Sequence, residues 1–514
     1  MKLTYSQLKD KIAGCWNGKN IGGCLGAPYE GPRKINNVTF YDQGIIDNPP
    51  ANDDLDLQIL WLNAVERFNK FVNSDILAEY WSAYVIPNWV EYGSAKANLK
   101  SGLKPPFSGN VENDYKNSNG AFIRSEIWAC LCPGIPDLAV EYAYHDAIID
   151  HDQEGLYAEI FCAAVESAAF IESDTLKLID IGLSYIPKDS ATAKAVKMVI
   201  DEYNKGTDWK KLRKRLLTEI TCNFGIQDKI PSVRCDEFPP AKPGYDAACH
   251  IGFLALCWLY GQGDFEKSIC LAVNIGDDAD CTSATMASIL GIILGNDKLP
   301  KKWIEPLNNK IVTKCINILS PSVSAPLTID QMTDRVLNCI PAFLGKRCDI
   351  NVSNDKYEVT VRDIDKLAFT PSKHLPLIDT NTMEQFIPFE RIRMLSENEV
   401  IYQFPTFNTT LNYHGGNYIS AGESKKLTLT VTDNGVLNEQ RWIEVSVFTK
   451  GNLAVTKGKF TARALQVTHE YKAVIDIEFT APEELLGAKN EFYIDVQVVG
   501  KHTTSVIKGF YLSK

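Results

Sequence analysis

Histidine is scarce here, seven in 514 residues, and none forms a His-Glu-x-x-His pair. The helical zinc-protease arrangement is therefore excluded. Cysteine is absent beyond Cys348, and the fourteen thiols up to that point include no Cys-x-x-Cys pair. That spacing suits neither a disulfide framework nor a thiolate zinc cluster. Most of the thiols are expected to be small buried hydrophobes, and a cytoplasmic location is the expectation that follows. No apolar run reaches the length of a membrane span; residues 251–260 and 289–294 read as buried helices. The opening MKLTYSQLKDKIAGCWNG lacks the apolar stretch of a signal peptide. Basic charge is also short: 53 Lys and Arg face 64 Asp and Glu, a formal net charge of −11. Nucleic acid and anionic membranes both require a basic face, so neither is an expected partner.

What is present divides into two textures. Up to about Pro341 apolar residues recur at three- and four-residue intervals, as in Leu8, Ile12 and Cys15, or Leu55, Ile59, Leu62 and Val65. Thr4 followed by Gln7 forms a capping box for the first of these helices. Lys104-Pro105-Pro106 and Pro239-Pro240 mark loops, because proline removes a donor and fixes φ. After about Gly345 short β-branched and aromatic runs alternate with period two, at 357–361, 426–431, 442–448, 474–479, 492–498 and 506–512. Turn signals such as Asp433-Asn434-Gly435 separate them. The expected architecture is mainly α: a helical bundle over residues 1–345, then an antiparallel β-sandwich over residues 346–514.

Two acidic clusters open predicted helices. Asn52-Asp53-Asp54 precedes the run Leu55 to Val65, and Gly276-Asp277-Asp278-Ala279-Asp280-Cys281-Thr282 leads into a helix rich in Ala, Ser and Gly. Helix capping accounts for one such cluster by itself. Two are more carboxylate than capping needs, and like charges this dense call for a hard divalent cation if the fold unites them. Glycines 14, 18, 22 and 26 recur every four residues along one face of the first helix, the pattern of close helix packing or of ligand approach. No GxxxxGK[ST] loop is present, which excludes a P-loop. Asn119-Gly120 ends a loop whose N–H groups could hold a phosphate. His151 lies near a helix start, where a lone histidine is usually structural.

In order, GKNIGGCLGAPYE ending at Glu30, the Asn52-Asp53-Asp54 cluster, SNGAFIR from Ser118, HDQEGLYAE from His151 and GDFEKSICLAVNIGDDADCTSATMASILG from Gly263 resemble the ADP-ribosylglycohydrolase family over residues 8–300. The resemblance implies an all-α catalytic domain with two Mg²⁺ or Mn²⁺ ions. The implied activity is hydrolysis at the ribose anomeric carbon of an ADP-ribosylated group or related ADP-ribose compound. By position it implies Asp53, Asp54, Asp278 and Asp280 as metal ligands, with Asn52 and Thr282 as further oxygen donors. Glu30 and Asp54 are the implied catalytic carboxylates, and Asn119, Gly120 and His151 the substrate contacts. Three positions depart from the family pattern: Asn52 replaces a Ser or Thr, Cys281 stands where Thr is usual, and Gly23 replaces an acidic residue. Two other readings share these residues. One is a glycohydrolase for another nucleoside-like or sugar glycoside; the other is a catalytically silent relative with a binding or structural role.

Overall fold

Thr4 begins the first helix as expected: its hydroxyl accepts from Gln7 N (3.3 Å) while Gln7 Oε1 accepts from Thr4 N (2.9 Å). The computed structural model describes residues 1–42, 49–220, 245–353, 356–368, 398–404, 407–433, 441–467, 470–484, 487–499 and 504–514. Pro239-Pro240 and the Asn434-Gly435 turn fall outside those residues. The chain forms two compact units: residues 1–100 with 105–385, and residues 101–104 with 386–514.

The first unit is helical. Its opening helix, Tyr5–Gly26, is buried almost throughout from Ile12 onward. It packs along Ala279–Leu294, and the glycine stripe is the reason it can. A β-carbon at Gly14, Gly18, Gly22 or Gly26 would run into the backbone of Gly291, Ala287, Ser283 or Asp280 respectively. Without those β-carbons the two backbones touch, which brings the start of the second helix beside the end of the first. Asp53–Phe68 starts at Asn52, whose side chain caps Asp54 N at 3.0 Å. Gln153–Ala169 is buried on nearly every face and lies within the core, where it also carries Glu154, Glu159 and Glu166. Trp16, Trp61, Trp81, Trp128, Trp258 and Trp303 are all fully buried in this unit. Each contributes on the order of 2–3 kcal/mol of apolar burial. Most described cysteines are buried too, as expected for thiols acting as small hydrophobes. No described helix is long and apolar enough to cross a membrane.

A three-stranded sheet in the order β1-β3-β2 completes this unit, with β1 Lys2–Thr4, β2 Ile350–Ser353 and β3 Lys356–Thr360. The run at 357–361, read from the sequence as the first strand of the C-terminal set, therefore pairs with the N-terminus instead: Leu3 faces Val359. Local alternation reveals a strand but not its partner.

The second unit is strand-rich and largely antiparallel. Its strands are β4 Glu399–Gln403, β5 Phe407–Asn412, β6 Tyr418–Ile419, β7 Ser424–Asp433, β8 Arg441–Thr449, β9 Ala454–Val455, β10 Lys459–Val467, β11 Glu470–Thr480, β12 Lys489–Val498 and β13 Thr504–Ser513. The hydrogen-bonded order is β4-β5-β7-β11-β10-β8-β12-β13-β6, with β9 beside β11; among the described residues only β13 and β6 pair in parallel. β10 pairs with β8 along residues 459–464 and with β11 along 465–467. One strand thus joins two antiparallel groups.

Candidate active site

The two acidic clusters converge in the first unit. Asp54, Asp280 and Cys281 bring their ligating atoms within 4.8 Å of one another, and Glu30, Asp278 and Asp280 do the same. Asp280 belongs to both groups. The glycine-mediated contact of Tyr5–Gly26 with Ala279–Leu294 positions one side of this arrangement. The other side comes from the start of Asp53–Phe68.

Glu30 follows the short 3-10 turn Ala27–Tyr29 at the end of the opening helix and is tied in place by its neighbours: Gly31 N donates to Asp277 O (2.8 Å) and Asp277 N to Pro32 O (2.9 Å). Asp277 itself holds a left-handed backbone, φ 72°, and its carboxylate accepts from Arg33 Nε at 2.8 Å. Of the 277–280 acids, Asp277 is therefore turned to Arg33, and Asp278 and Asp280 face the cluster.

The electrostatics are those of crowded buried carboxylates. Asp54 is pushed up to about 7, by burial first, with Lys19 pulling against it and Asp53 and Asp278 adding to it. Glu30 reaches about 7 through desolvation of its carboxyl and then the charge of Asp278 and Asp53, although the residue as a whole sits at the surface. Asp280 is held well above the usual carboxylate range by burial and by Asp278, Glu30 and Asp54. Burial and the same carboxylates push the Cys281 thiol up. Asp53 is more open and pairs with Lys314 Nζ at 2.9 Å. Lys314 is delivered by Asp56, which accepts from the backbone N–H groups of Lys314 (2.7 Å) and Cys315.

Three oxygens in this pocket are orphans. Asp54 Oδ2, Asp278 Oδ1 and Asp280 Oδ1 are buried and have no hydrogen-bond partner. Lys19 Nζ stands 3.6 Å from Asp54 Oδ2, beyond hydrogen-bond range. Unpaired buried carboxylate oxygens are costly, and several aimed at one volume suit a divalent cation with oxygen ligands. The donor set fits the metal that the resemblance implies.

Other expected site residues take varied places. Asn52 Oδ1 caps Asp54 N, and its Nδ2 donates to Lys19 O at 3.4 Å. A β-carbon at Gly23 would strike that amide, so Gly23 and Asn52 are linked departures: the missing side chain makes room for the larger one. The Thr282 hydroxyl donates back to Asp278 O (2.9 Å), as helix Ser and Thr often do, while Cys281 faces the carboxylates with Sγ 3.5 Å from Asp54 Oδ1. Asn119 Nδ2 donates to Asp278 Oδ2, which joins the 118–124 loop to the acids. Gly120 O accepts from Arg124 Nη1 at 3.0 Å. His151 is fully buried behind this loop, with Nε2 3.0 Å from Ser118 Oγ and Nδ1 2.8 Å from Asp150 Oδ1.

The sequence reading missed Lys19, Glu126, Glu91, Asp150 and Lys314. Lys19 Nζ meets Glu126 Oε1 at 2.8 Å, and both side chains are fully buried. Burial alone would lower the Lys19 ammonium, but Glu126 and Asp54 outweigh it and hold the charge. Ser118 Oγ donates to Glu91 Oε2 (3.0 Å), and Arg124 grips both Asp146 and Asp150. These partners come from separate helices and loops, so no spacing announces them. Lys19 alone carried a signal, being a lysine inside a glycine-lined helix with little polar surface to spare.

A family model for ADP-ribosylglycohydrolase matches residues 4–337. An ADP-ribosylarginine hydrolase of Serratia proteamaculans is 39% identical over 54 residues, which cover 10% of this chain and 15% of that protein's length. A solved ADP-ribosylglycohydrolase-related protein complex aligns with 66% of this chain and 99% of its own at 16% identity and a TM-score of 0.42. A FixG-related protein from Vibrio parahaemolyticus aligns with 22% of this chain and 99% of its own, at 10% identity and a TM-score of 0.17. The matched span of the family model contains every acidic residue of the site, and the chain belongs to the ADP-ribosylglycohydrolase family.

Proposed function

We propose that this protein hydrolyses the glycosidic bond at the ribose anomeric carbon of an ADP-ribosylated group or related ADP-ribose compound, with two divalent cations held by the acidic cluster. The observation that carries the reading is the convergence of buried oxygens from Asp54, Asp278 and Asp280 that accept no hydrogen bond. Asp53, Asp54, Asp278 and Asp280 would hold the ions, with Asp280 shared between the two groups of ligands. Bound Mg²⁺ or Mn²⁺ would supply positive charge against ribose oxygens as the oxocarbenium-like transition state develops.

The chain's own residues do the rest. Glu30 sits at the rim, where its carboxylate can take a proton from an attacking water; its raised affinity for a proton suits that task. Asn119, tied to Asp278, and the N–H groups around Gly120 place the phosphates of the substrate next to the acids. His151 supports that loop from behind through Ser118. In the second unit we propose a sandwich. Phe479 of β11 and Phe492 of β12, which are not neighbours in the strand order, pack at 4.4 Å between ring centres.

Turnover of ADP-ribosyl-arginine, ADP-ribosyl-serine and O-acetyl-ADP-ribose, with and without Mg²⁺, tests the activity. Release of ADP-ribose from at least one of them, abolished by a chelator, is expected. If none reacts in Mg²⁺ or Mn²⁺, the reading fails.

A further inference from the structure

We propose that Cys281 is itself a ligand: with Asp54 and Asp280 it forms a mixed sulfur–oxygen position that selects a thiophilic divalent cation, such as Zn²⁺, Co²⁺ or Cd²⁺, over Mg²⁺. The inference rests on the metal-centre reading above and assigns the two positions different chemistry.

The placement of the thiol carries the argument. Cys281 is buried, and its thiol is turned to the carboxylates of Asp54 and Asp280. Its Sγ is 3.5 Å from Asp54 Oδ1 and lies within 4.8 Å of the ligating oxygens of both Asp54 and Asp280. A thiol that served only as a small hydrophobe would have no reason to take that place. Asp280 Oδ1, in a residue only 5% exposed, has no hydrogen-bond partner and supplies the independent sign of a missing ligand. The Thr282 hydroxyl donates back along its own helix to Asp278 O.

Two carboxylates and one sulfur make three protein ligands, which leaves room for water or substrate, as in open catalytic sites. Coordination replaces the S–H bond with an S–metal bond: the sulfur keeps the electron pair and the proton leaves to solvent. Thiolate is a soft donor and a poor partner for Mg²⁺. The other group, Glu30, Asp278 and Asp280, is all oxygen and suits a hard ion. The shared Asp280 would then bridge one soft and one hard position.

Cobalt absorption tests this on the full chain freed of metal. Titration with Co²⁺ is expected to give d–d bands together with a sulfur-to-cobalt charge-transfer band in the near ultraviolet. In Cys281→Ser, with folding checked by circular dichroism, the charge-transfer band should vanish while d–d bands persist. Calorimetric affinity for Cd²⁺ should fall at least about tenfold in that variant, with Mg²⁺ affinity changed far less. Wild-type d–d bands without charge transfer, or a charge-transfer band that survives in Cys281→Ser, would overturn the sulfur ligand and leave the carboxylate centre standing. Absence of any cobalt or magnesium binding would overturn both.

Discussion

Lys19 carries a positive charge into core that solvent does not reach. Its ammonium lies between Glu126 and Asp54 and also donates to Thr285 Oγ1 at 3.2 Å, while Gln58 Nε2 satisfies the other Glu126 oxygen at 2.9 Å. This one cation offsets part of the negative charge that the site concentrates. Removing it leaves Glu126 and Asp54 buried with no counter-charge, the costly half of a broken buried pair. Lys19→Met is therefore expected to lower unfolding stability by about 3–5 kcal/mol, read as a reduced denaturation midpoint of the helical unit. A loss under about 1 kcal/mol would mean that the carboxyls simply take up protons and the ion pair matters little. The acidic residues could be read from sequence because they sit in two short runs at helix starts. The pairing of Lys19 with Glu126 could not, since 107 positions separate them and only packing makes them partners.

At the scale of elements, the glycine face of Tyr5–Gly26 is what allows one helix start to meet another. The four-residue spacing left packing and ligand approach both open; in the structure the face packs on Ala279–Leu294. Gly18→Ala would press a methyl group into the Ala287 backbone, which cannot rotate away as a side chain can. The expected cost is about 1–3 kcal/mol, measured by thermal or chemical denaturation, and weaker Mg²⁺ or Mn²⁺ stabilisation should accompany it as the helices part. Strands fared unevenly. The alternating runs at 426–431, 442–448, 474–479, 492–498 and 506–512 were legible, and each falls within a longer strand. β4, β5 and β10 were not: β4 is only five residues long, Asn and Thr interrupt β5, Lys, Thr and Arg interrupt β10, and tertiary pairing decides them.

Across the whole molecule, buried acids set the response to pH. Burial pushes Asp54 and Asp56 up to about 7 from an ordinary 3.8. A carboxyl whose folded pKa is raised stabilises the fold fully below its unfolded value and loses that contribution as pH rises to its folded value. His145 acts oppositely: burial lowers it from 6.5 to about 4, so its contribution is lost as pH falls through that window. The carboxyls outnumber it, since Glu159 and Glu166 are also raised by burial. Cation-free protein is thus expected to unfold more easily at pH 7 than at pH 5, and Mg²⁺ or Mn²⁺ should narrow the gap. Midpoints at the two pH values, with and without cation, check this; a midpoint that rises with pH in the cation-free protein would contradict it.

Period and composition along the chain were enough to determine the helical first part, the strand-rich second part and the two acidic helix starts. These are local properties, because repeat period and capping act over a few residues. Tertiary structure decided which of those pieces meet. It put Lys356–Thr360 against the N-terminus, buried Lys19 beside Glu126 and Asp54, turned Asp277 out to Arg33, and directed Cys281 rather than Thr282 toward the carboxylates. Each depends on how two distant backbones approach, and no spacing within a single element records that.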